Sequence, residues 1–196
     1  MARLSLVFTI LFVSPLILAM VTSSFPCPRW DIYACENEID LRLYLLQVGS
    51  GTGQNQVGIF GKDGTFSQTG VNDWTIVDTP VLNAKVIGRA QGVHILSDMA
   101  RVGWFVSFNL VFQGDSRFNG STLQVMGVLP PEGEWSIVGG TGELAMARGN
   151  IKHSIAKPEP PAGSPFVFRQ LDIHALVPTM FTKCYGAVVA ASAQDK

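Results

Sequence analysis

The sequence predicts an all-β protein whose fold is an eight-stranded antiparallel closed β-barrel. Almost every periodic segment alternates polar and apolar residues with period two, and glycine or proline separates one segment from the next. No segment between them has a helical pattern, which leaves a closed sheet or a sandwich. Several segments reach about ten residues, and such length favours a closed barrel because long exposed edges invite aggregation. The predicted strands cover residues 41–48, 74–77, 86–97, 103–113, 121–128, 135–138, 142–155 and 166–177.

The clearest alternation lies in residues 103–113, where Trp104 and Phe108 share one face with three other apolar residues. The last strand, 166–177, places Arg169 among aliphatic side chains on one face and leaves a mixed aromatic and polar face opposite. Strands with apolar residues on both faces need cover on both. We therefore expect subunit association to bury part of the outside of the barrel.

Two segments are predicted to be long loops. Residues 157–165 are too rich in proline for a central strand, and residues 49–69 are rich in glycine, glutamine and asparagine. The predicted organisation is a signal peptide (1–24), an N-terminal segment (25–39), a barrel domain (40–186) and a tail expected to be disordered (187–196).

The N-terminal residues have the pattern of a secretory signal. Arg3 supplies the positive region, residues 4–21 the apolar core, and small residues ending at Ser24 the cleavage zone. A signal anchor is the alternative, but Pro15 interrupts the apolar run. Cleavage would leave thirteen Lys and Arg residues, fourteen less Arg3, against fifteen Asp and Glu residues. Such a chain is near neutral and has no basic stripe, so nucleic-acid binding is not expected, and neither is membrane attachment after cleavage.

Three cysteines, Cys27, Cys35 and Cys184, lie near the ends of the expected mature chain. A secretory route favours a disulfide, and a bridge from Cys27 or Cys35 to Cys184 would contribute roughly 4 kcal/mol in the chain-entropy model. Which of the two pairs stays open. Asn119 begins an Asn-Gly-Ser sequon and is predicted to carry a glycan, although the same residues also suit an unglycosylated turn.

The three histidines lie on three different predicted strands and cluster with no carboxylate by spacing. We therefore predict no metal site and no cofactor. Small residues, Gly88, Ala90 and Gly92, share a face with His94, and their lack of bulk permits either a ligand cavity or tight packing.

Glu143 and Arg148 follow a glycine-dense turn and are the best candidates for chemistry. A carboxylate beside a permanently charged guanidinium can move a phenolic proton. Alternation puts the two on opposite faces of a regular strand, so they share a pocket only if Glu143 belongs to the turn or a bulge intervenes. The alternative for Arg148 is an outward salt bridge.

Three motifs in this order resemble the plant dirigent family: residues 86–92 (VIGRAQG), 118–123 (FNGSTL) and 137–149 (IVGGTGELAMARG). The resemblance implies a secreted, apoplastic homo-oligomer, dimer or trimer, of barrels of the dirigent and allene-oxide-cyclase type. It implies an auxiliary protein with no oxidative centre, which directs the stereoselective coupling of phenoxy radicals of monolignols such as coniferyl alcohol. A separate oxidase, a laccase or peroxidase, supplies the radicals for lignan or lignin-related biosynthesis. The resemblance also favours a disulfide between an N-terminal cysteine and Cys184.

The resemblance further implies site residues. Cyclising family members use one acid on the first strand, where this chain has Gln47, and a second after the glycine-rich turn, where it has Glu143. His94 stands where members that form pinoresinol have tyrosine, and Asp78 matches a family aspartate that we interpret first as a turn-former before Pro80. Because Gln47 cannot transfer a proton, the alternative is a non-catalytic apoplastic protein that binds a phenol or a carbohydrate in defence or wall organisation.

Overall fold

The computed structural model describes residues 35–101 and 103–179. The strands within these residues are β1 (Cys35–Val48), β2 (Gln56–Phe60), β3 (Thr69–Val77), β4 (Val86–Leu96), β5 (Trp104–Phe112), β6 (Thr122–Val128), β7 (Gly133–Thr141), β8 (Arg148–Ile155) and β9 (Phe166–Thr179). A single 3-10 turn, Gly142–Leu144, lies between β7 and β8. Over these described ranges, no helix has the length and apolar character needed to cross a membrane.

Eight of these strands form the predicted closed antiparallel barrel. The order is β1-β9-β8-β7-β6-β5-β4-β3, and every pair of neighbours is antiparallel. The barrel closes where β1 also pairs with β3, with Tyr44 opposite Val77 and Leu46 opposite Thr75. The prediction of an eight-stranded closed barrel is confirmed.

Strand β2 lies in the segment that we predicted to be a loop. It pairs with the first half of β3, beside the stretch where β1 meets the second half. The side chain of Asn55 accepts the N–H of Val48 at 2.8 Å and donates to the carbonyl of Leu46 at 2.9 Å, which fixes the start of β2 against β1. The prediction failed because β2 has no core-facing stripe: Val57 and Ile59 are both exposed.

The predicted strand 142–155 begins only at Arg148. Gly142 has φ +65° and Met146 has φ 61°, so the chain turns sharply between them. Glu143 belongs to this turn, and its backbone N–H donates to Oγ of Ser121 at 3.0 Å. Leu144 is 1% exposed and fills the core beneath the turn. The turn is thus held by one buried hydroxyl and one buried leucine.

The core lies inside the barrel and is formed by the inward faces of all eight strands. Burying each of its large aliphatic side chains contributes about 1.5–3 kcal/mol. Its fully buried members include Leu45, Ile76, Leu110, Leu123, Ile151 and Leu171. A smaller cluster of Val77, Ala156 and Phe168 packs separately. Phe168 belongs to the mixed aromatic and polar face of β9, opposite Arg169. Residues of the same chain therefore cover part of this face, whereas we expected other subunits to cover it.

The small residues of β4 serve close packing. A Cβ atom on Gly88 would collide with the carbonyl oxygen of Val111, and one on Gly92 would collide with that of Ser107. Both contacts are with the backbone of β5, so neither glycine leaves space for a ligand. Of the two interpretations left open, tight strand packing is the one that the geometry supports.

Gly149→Ala is expected to lower the free energy of unfolding by about 2–4 kcal/mol, the sum of backbone strain and a forced backbone shift. Gly149 has φ +149°, and a Cβ atom there would collide with the carbonyl oxygen of His174. Urea denaturation measures the loss. The matched control is Gly58→Ala in β2, where a Cβ atom meets nothing within 4 Å and little change is expected. Equal effects of the two substitutions would contradict this account.

Candidate functional site

A line of rings, which we call the aromatic row, crosses the inside of the barrel. Consecutive ring centroids are 5.2, 5.7, 6.0, 5.4 and 4.1 Å apart. Such distances are typical of aromatic pairs in contact. The row is half-exposed at its first two rings and buried at the other four. In order, its members are Trp104, His94, Trp74, Phe108, Trp135 and His153.

His94 is the member best placed for chemistry near the exposed end of the row. It lies on the inner face of β4, opposite Gly70 of β3, whose missing side chain leaves room for the imidazole. Asn72 donates through Nδ2 to the carbonyl of Ala90 at 2.9 Å, so its Oδ1 faces Nδ1 of His94 at 3.4 Å. This orientation favours the proton on Nδ1 and leaves a lone pair on Nε2.

Burial lowers the pKa of His94, which makes the neutral imidazole the form at neutral pH. A neutral imidazole with a free lone pair can accept a proton or a hydrogen bond from a phenolic hydroxyl. Trp74, stacked on His94, donates its indole N–H to Oε1 of Gln56 at 2.6 Å. The otherwise exposed strand β2 thus helps to position the row.

Two residues that the sequence analysis missed lie at the buried end of the row. Nη1 of Arg169 is 2.8 Å from Nδ1 of His153, and both side chains are buried. Burial, followed by the charge of Arg169, lowers the pKa of His153 to about 4, and burial lowers the pKa of Arg169 to about 10. The signal was present in the sequence, since alternation already put Arg169 on the apolar face of the last strand.

The residues predicted for the site are divided between the inner face of the barrel and its exposed turns and outer face. Gln47 and His94 lie on inner faces of the barrel, and Gln47 is 8% exposed. Asp78 is exposed in the turn after β3, where its N–H donates to the carbonyl of Lys85 at 3.2 Å, as expected of a turn-former. Glu143 is exposed in the 3-10 turn.

Arg148 points outward and pairs with a neighbouring strand. Its Nη2 donates to both carboxylate oxygens of Glu36, at 2.6 and 2.7 Å, which matches the alternative of an outward salt bridge. The turn that contains Glu143 lies far from the aromatic row along β6. The turn follows Thr141, which pairs with Thr122 of β6, whereas Trp135 of the row pairs with Gly127 of β6. These positions are five residues apart on β6, roughly 17 Å. The catalytic roles of Glu143 and Arg148 stay predictions.

The inner face of the barrel carries no carboxylate on any of the described strands. Every Asp and Glu of these strands lies on an outward-facing position of the alternation. The inward-facing groups that can titrate are His94, His153 and Arg169. Proton movement in this barrel would therefore depend on imidazole groups.

Comparisons with known proteins agree with this barrel. The family described as "Dirigent-like protein" matches residues 38–175. The chain belongs to the dirigent family. Dirigent protein 1 of Arabidopsis thaliana is 31% identical over 159 residues, covering 76% of this chain and 87% of that protein. Dirigent protein 11 of Arabidopsis thaliana is 39% identical over 87 residues, 43% of this chain. The chain spans about half the length of the first curated relatives that it matches, 45% and 49%.

Solved structures show the same fold. A pterocarpan synthase dirigent protein superposes with a TM-score of 0.67 at 23% identity, covering 76% of this chain and 90% of that one. A second pterocarpan synthase dirigent protein gives a TM-score of 0.65 at 22% identity, covering 73% and 97%. At such identities the likeness concerns the fold alone.

The outside of this dirigent barrel carries one cluster that sequence spacing did not reveal. Nδ1 of His174 lies 2.9 Å from Asp40 and 3.6 Å from Glu38. The register between β1 and β9 brings these three residues together, which spacing along the sequence could not show. One ligand atom from each of the three residues falls within 4.8 Å of the others. Both carboxylates are exposed, and we interpret the cluster as a group of polar contacts on the surface.

Two other predicted features are partly visible. Cys35 is disulfide-bonded. The other two cysteines, Cys27 and Cys184, lie outside the described residues. Asn119 is exposed in the turn between β5 and β6, so its side chain is accessible to a glycan. Ser121 of the same sequon is 2% exposed and bonds to Glu143. The signal peptide and the C-terminal tail lie outside the described residues.

Proposed function

We propose that this dirigent chain directs the stereoselective coupling of phenoxy radicals derived from monolignols such as coniferyl alcohol, in lignan or lignin-related biosynthesis. A separate oxidase, a laccase or a peroxidase, removes the electron and the proton from each phenol. The protein itself then needs no oxidant, because two radicals pair their electrons in the new bond. Its contribution is to hold the radicals so that one pair of faces meets.

The aromatic row carries this proposal. A planar phenoxy ring gains most from offset or edge-to-face contact with other rings, and the row presents six of them in sequence. Trp104 and His94 are half-exposed, so a ring entering the barrel meets them first. Since the rings are fixed by the strands, they offer a rigid surface, and rigid positioning is what facial selectivity requires.

A second candidate function is non-catalytic binding of a phenol or a carbohydrate in the apoplast. The observation that favours it is the absence of any inward-facing carboxylate on the described strands, with Gln47 at the position of the first family acid. A barrel of this kind could bind the same phenols without moving their protons. Cyclisation of a coupled intermediate would then have to rely on His94.

The surroundings of the barrel form part of the proposal. We propose secretion to the apoplast after removal of residues 1–24, glycosylation of Asn119 and assembly into a dimer or trimer. The exposed side chain of Asn119 agrees with glycosylation. Exposed apolar side chains on the outer surface, including Val57, Ile59 and Phe60, agree with assembly, because contiguous exposed apolar residues mark interaction surfaces.

The test combines the purified mature protein, a one-electron oxidant and a panel of monolignols, and measures the enantiomeric excess of the dimers. We expect an excess with at least one monolignol, and racemic products across the panel would contradict coupling control. Quenching of tryptophan fluorescence by the same phenols, without enantiomeric excess, would favour the binding function.

His94→Phe is the matching variant. It keeps a ring in the aromatic row but removes both nitrogen atoms, so a lower enantiomeric excess with retained phenol binding would assign the imidazole to orientation of the phenolic oxygen. The control is His174→Phe, which removes a half-buried imidazole of the outer face of β9 and should leave the excess unchanged. Equal losses in the two variants would argue against a specific role for His94.

A further inference from the structure

Arg169 is a buried cation without a carboxylate. Its side chain lies on the inner face of β9 and is 95% buried, being 5% exposed. Its Nη1 donates to the carbonyls of Pro130 and Pro131, at 3.1 and 2.8 Å, and to Nδ1 of His153 at 2.8 Å. No Asp or Glu of the described ranges forms an ion pair with it. A buried charge paired with neutral groups alone is costly, which suggests that it is retained for a ligand.

The arginines on the outer face of the barrel show the contrast. Arg42 lies 2.6 Å from Asp172, Arg89 lies 2.6 Å from Asp73, and Arg148 lies 2.6 Å from Glu36. Each of these arginines is paired with a carboxylate, although water at the surface already stabilises its charge. Arg169 is buried, so its charge most needs a partner, yet its hydrogen-bond partners are two carbonyl groups and a neutral imidazole.

The hydrogen bond between the two side chains fixes the protonation of His153. A guanidinium can only donate, so Nδ1 of His153 must present its lone pair to Arg169. In a neutral imidazole the proton then lies on Nε2. The neutral form is favoured because the pKa of His153 is lowered to about 4. Nε2 is therefore an N–H donor that points away from Arg169.

Two donors of the pair, one on each side chain, are buried and unsatisfied. Nε2 of His153 and Nε of Arg169 have no hydrogen-bond partner in the described part of the chain. The carbonyl of Val128, which lies near enough to raise the pKa of His153, accepts the indole N–H of Trp135 at 2.7 Å and does not form a hydrogen bond with Nε2. Unsatisfied buried donors beside an uncompensated positive charge call for an acceptor oxygen, preferably one with negative charge.

Nε2 of His153 is buried, and the glycine opposite it places no side chain over this atom. Gly133 pairs with His153 across β7 and β8, and a Cβ atom on it would lie 3.5 Å from Nε2. A groove of about 360 Å³ opens at this position. It is lined by Gly133 and His153 themselves and by the charged residues Glu132, Glu134, Lys152 and Asp172. Three carboxylates against one lysine repel an anion, so an anionic oxygen would approach from the interior, along the aromatic row.

We propose that Arg169 and His153 together bind the phenolic oxygen of the ligand in its anionic or partly anionic form, as a phenolate or as a quinone-type oxygen that gains charge. This inference rests on the proposed function, since it assumes that a phenol enters the barrel. The ring lies against Trp135, whose centroid is 6.0 Å from the guanidinium carbon of Arg169. The pair positions the ligand and lowers the pKa of the bound phenol.

Coniferaldehyde is a suitable probe, because its phenolate absorbs at longer wavelength than its phenol. Absorbance titration of the probe, free and with excess protein, gives the pKa of the bound hydroxyl. We expect the bound pKa to lie at least one unit below the free value, which corresponds to a tenfold preference for phenolate over phenol.

The variants separate the roles of the two side chains. Arg169→Met should abolish the shift, while Arg169→Lys, which keeps the charge, should retain part of it. His153→Asn preserves an oxygen that accepts from Arg169, but its shorter side chain places no donor at the position of Nε2, so a smaller shift is expected. Gly133→Ala leaves both side chains intact and places a methyl group at Nε2, and it should weaken probe binding. Arg42→Met, on the outer face, removes the same charge and should leave the bound pKa unchanged.

Circular dichroism of each variant checks folding, and Arg169→Lys with Gly133→Ala keep the test valid if Arg169→Met does not fold. Binding without a pKa shift, a shift that survives Arg169→Met, or no binding by quenching of tryptophan fluorescence would each overturn the inference. None of these results decides the coupling proposal, which depends on the enantiomeric excess measured in its own assay.

Discussion

Replacing Trp135 with alanine is expected to lower the free energy of unfolding by about 3–5 kcal/mol, as for other large buried aromatic residues. Trp135 is 1% exposed, and its indole N–H donates to the carbonyl of Val128 at 2.7 Å. Its ring contacts those of Phe108 and His153, at 5.4 and 4.1 Å. The substitution therefore removes a donor, leaves a cavity and separates His153, the last ring of the aromatic row, from the other four. Urea denaturation at neutral pH measures the loss.

Trp104→Ala is the control for this prediction. Trp104 belongs to the same row and contacts His94 at 5.2 Å, but it is half-exposed at the first residue of β5. Water can fill part of the space that its ring leaves, so a clearly smaller loss of stability is expected. If both variants lost the same stability, burial would not explain the energetics of the row.

The barrel could be predicted because its evidence is local. Alternation in a half-buried strand is imposed by the pleat, so segments such as residues 103–113 report their own inner and outer faces. Strand β2 could not be predicted, because neither of its faces is buried and its apolar residues Val57 and Ile59 are exposed. The turn at Glu143 was also missed as a boundary, since its stability comes from Ser121, a residue distant in sequence.

The site was harder to predict, because it depends on register between strands. The glycine-rich motif attracted attention to Glu143 and Arg148, yet Arg148 finds Glu36 only because β8 and β1 both pair with β9. Likewise, no spacing rule joins Arg169 to His153, which are linked through the pairing of β8 with β9. What sequence could reveal was that an arginine shares a face with the core.

Lowering the pH from 6.5 to 4 is expected to destabilise the protein, with a contribution from His153 on the order of 3 kcal/mol. The pKa of His153 is about 4 in the folded protein against about 6.5 in an unfolded chain. Between these values the unfolded state binds a proton that the folded state does not, so stability falls as the pH falls. Above pH 6.5 the contribution of His153 is complete. The lowered pKa of His94 acts in the same direction.

His153→Asn separates this contribution from the rest. Asparagine offers Arg169 an oxygen in place of Nδ1 but does not titrate, so urea unfolding at pH 7, 6, 5 and 4 should give a flatter profile for the variant. The carboxylates of Asp73 and Asp172 have pKa values lowered from 3.8, so most of their loss falls below this window, and it is common to both proteins. Parallel profiles for the two proteins would show that His153 is not the group whose protonation unfolds the barrel. A flatter profile for His153→Asn would instead mean that His153 of the unaltered protein stays neutral down to mildly acidic pH. The physical reason is that a proton added at Nδ1 has to displace Arg169. The Nε2–H that we propose as a donor to the ligand oxygen would then be present over the same pH range.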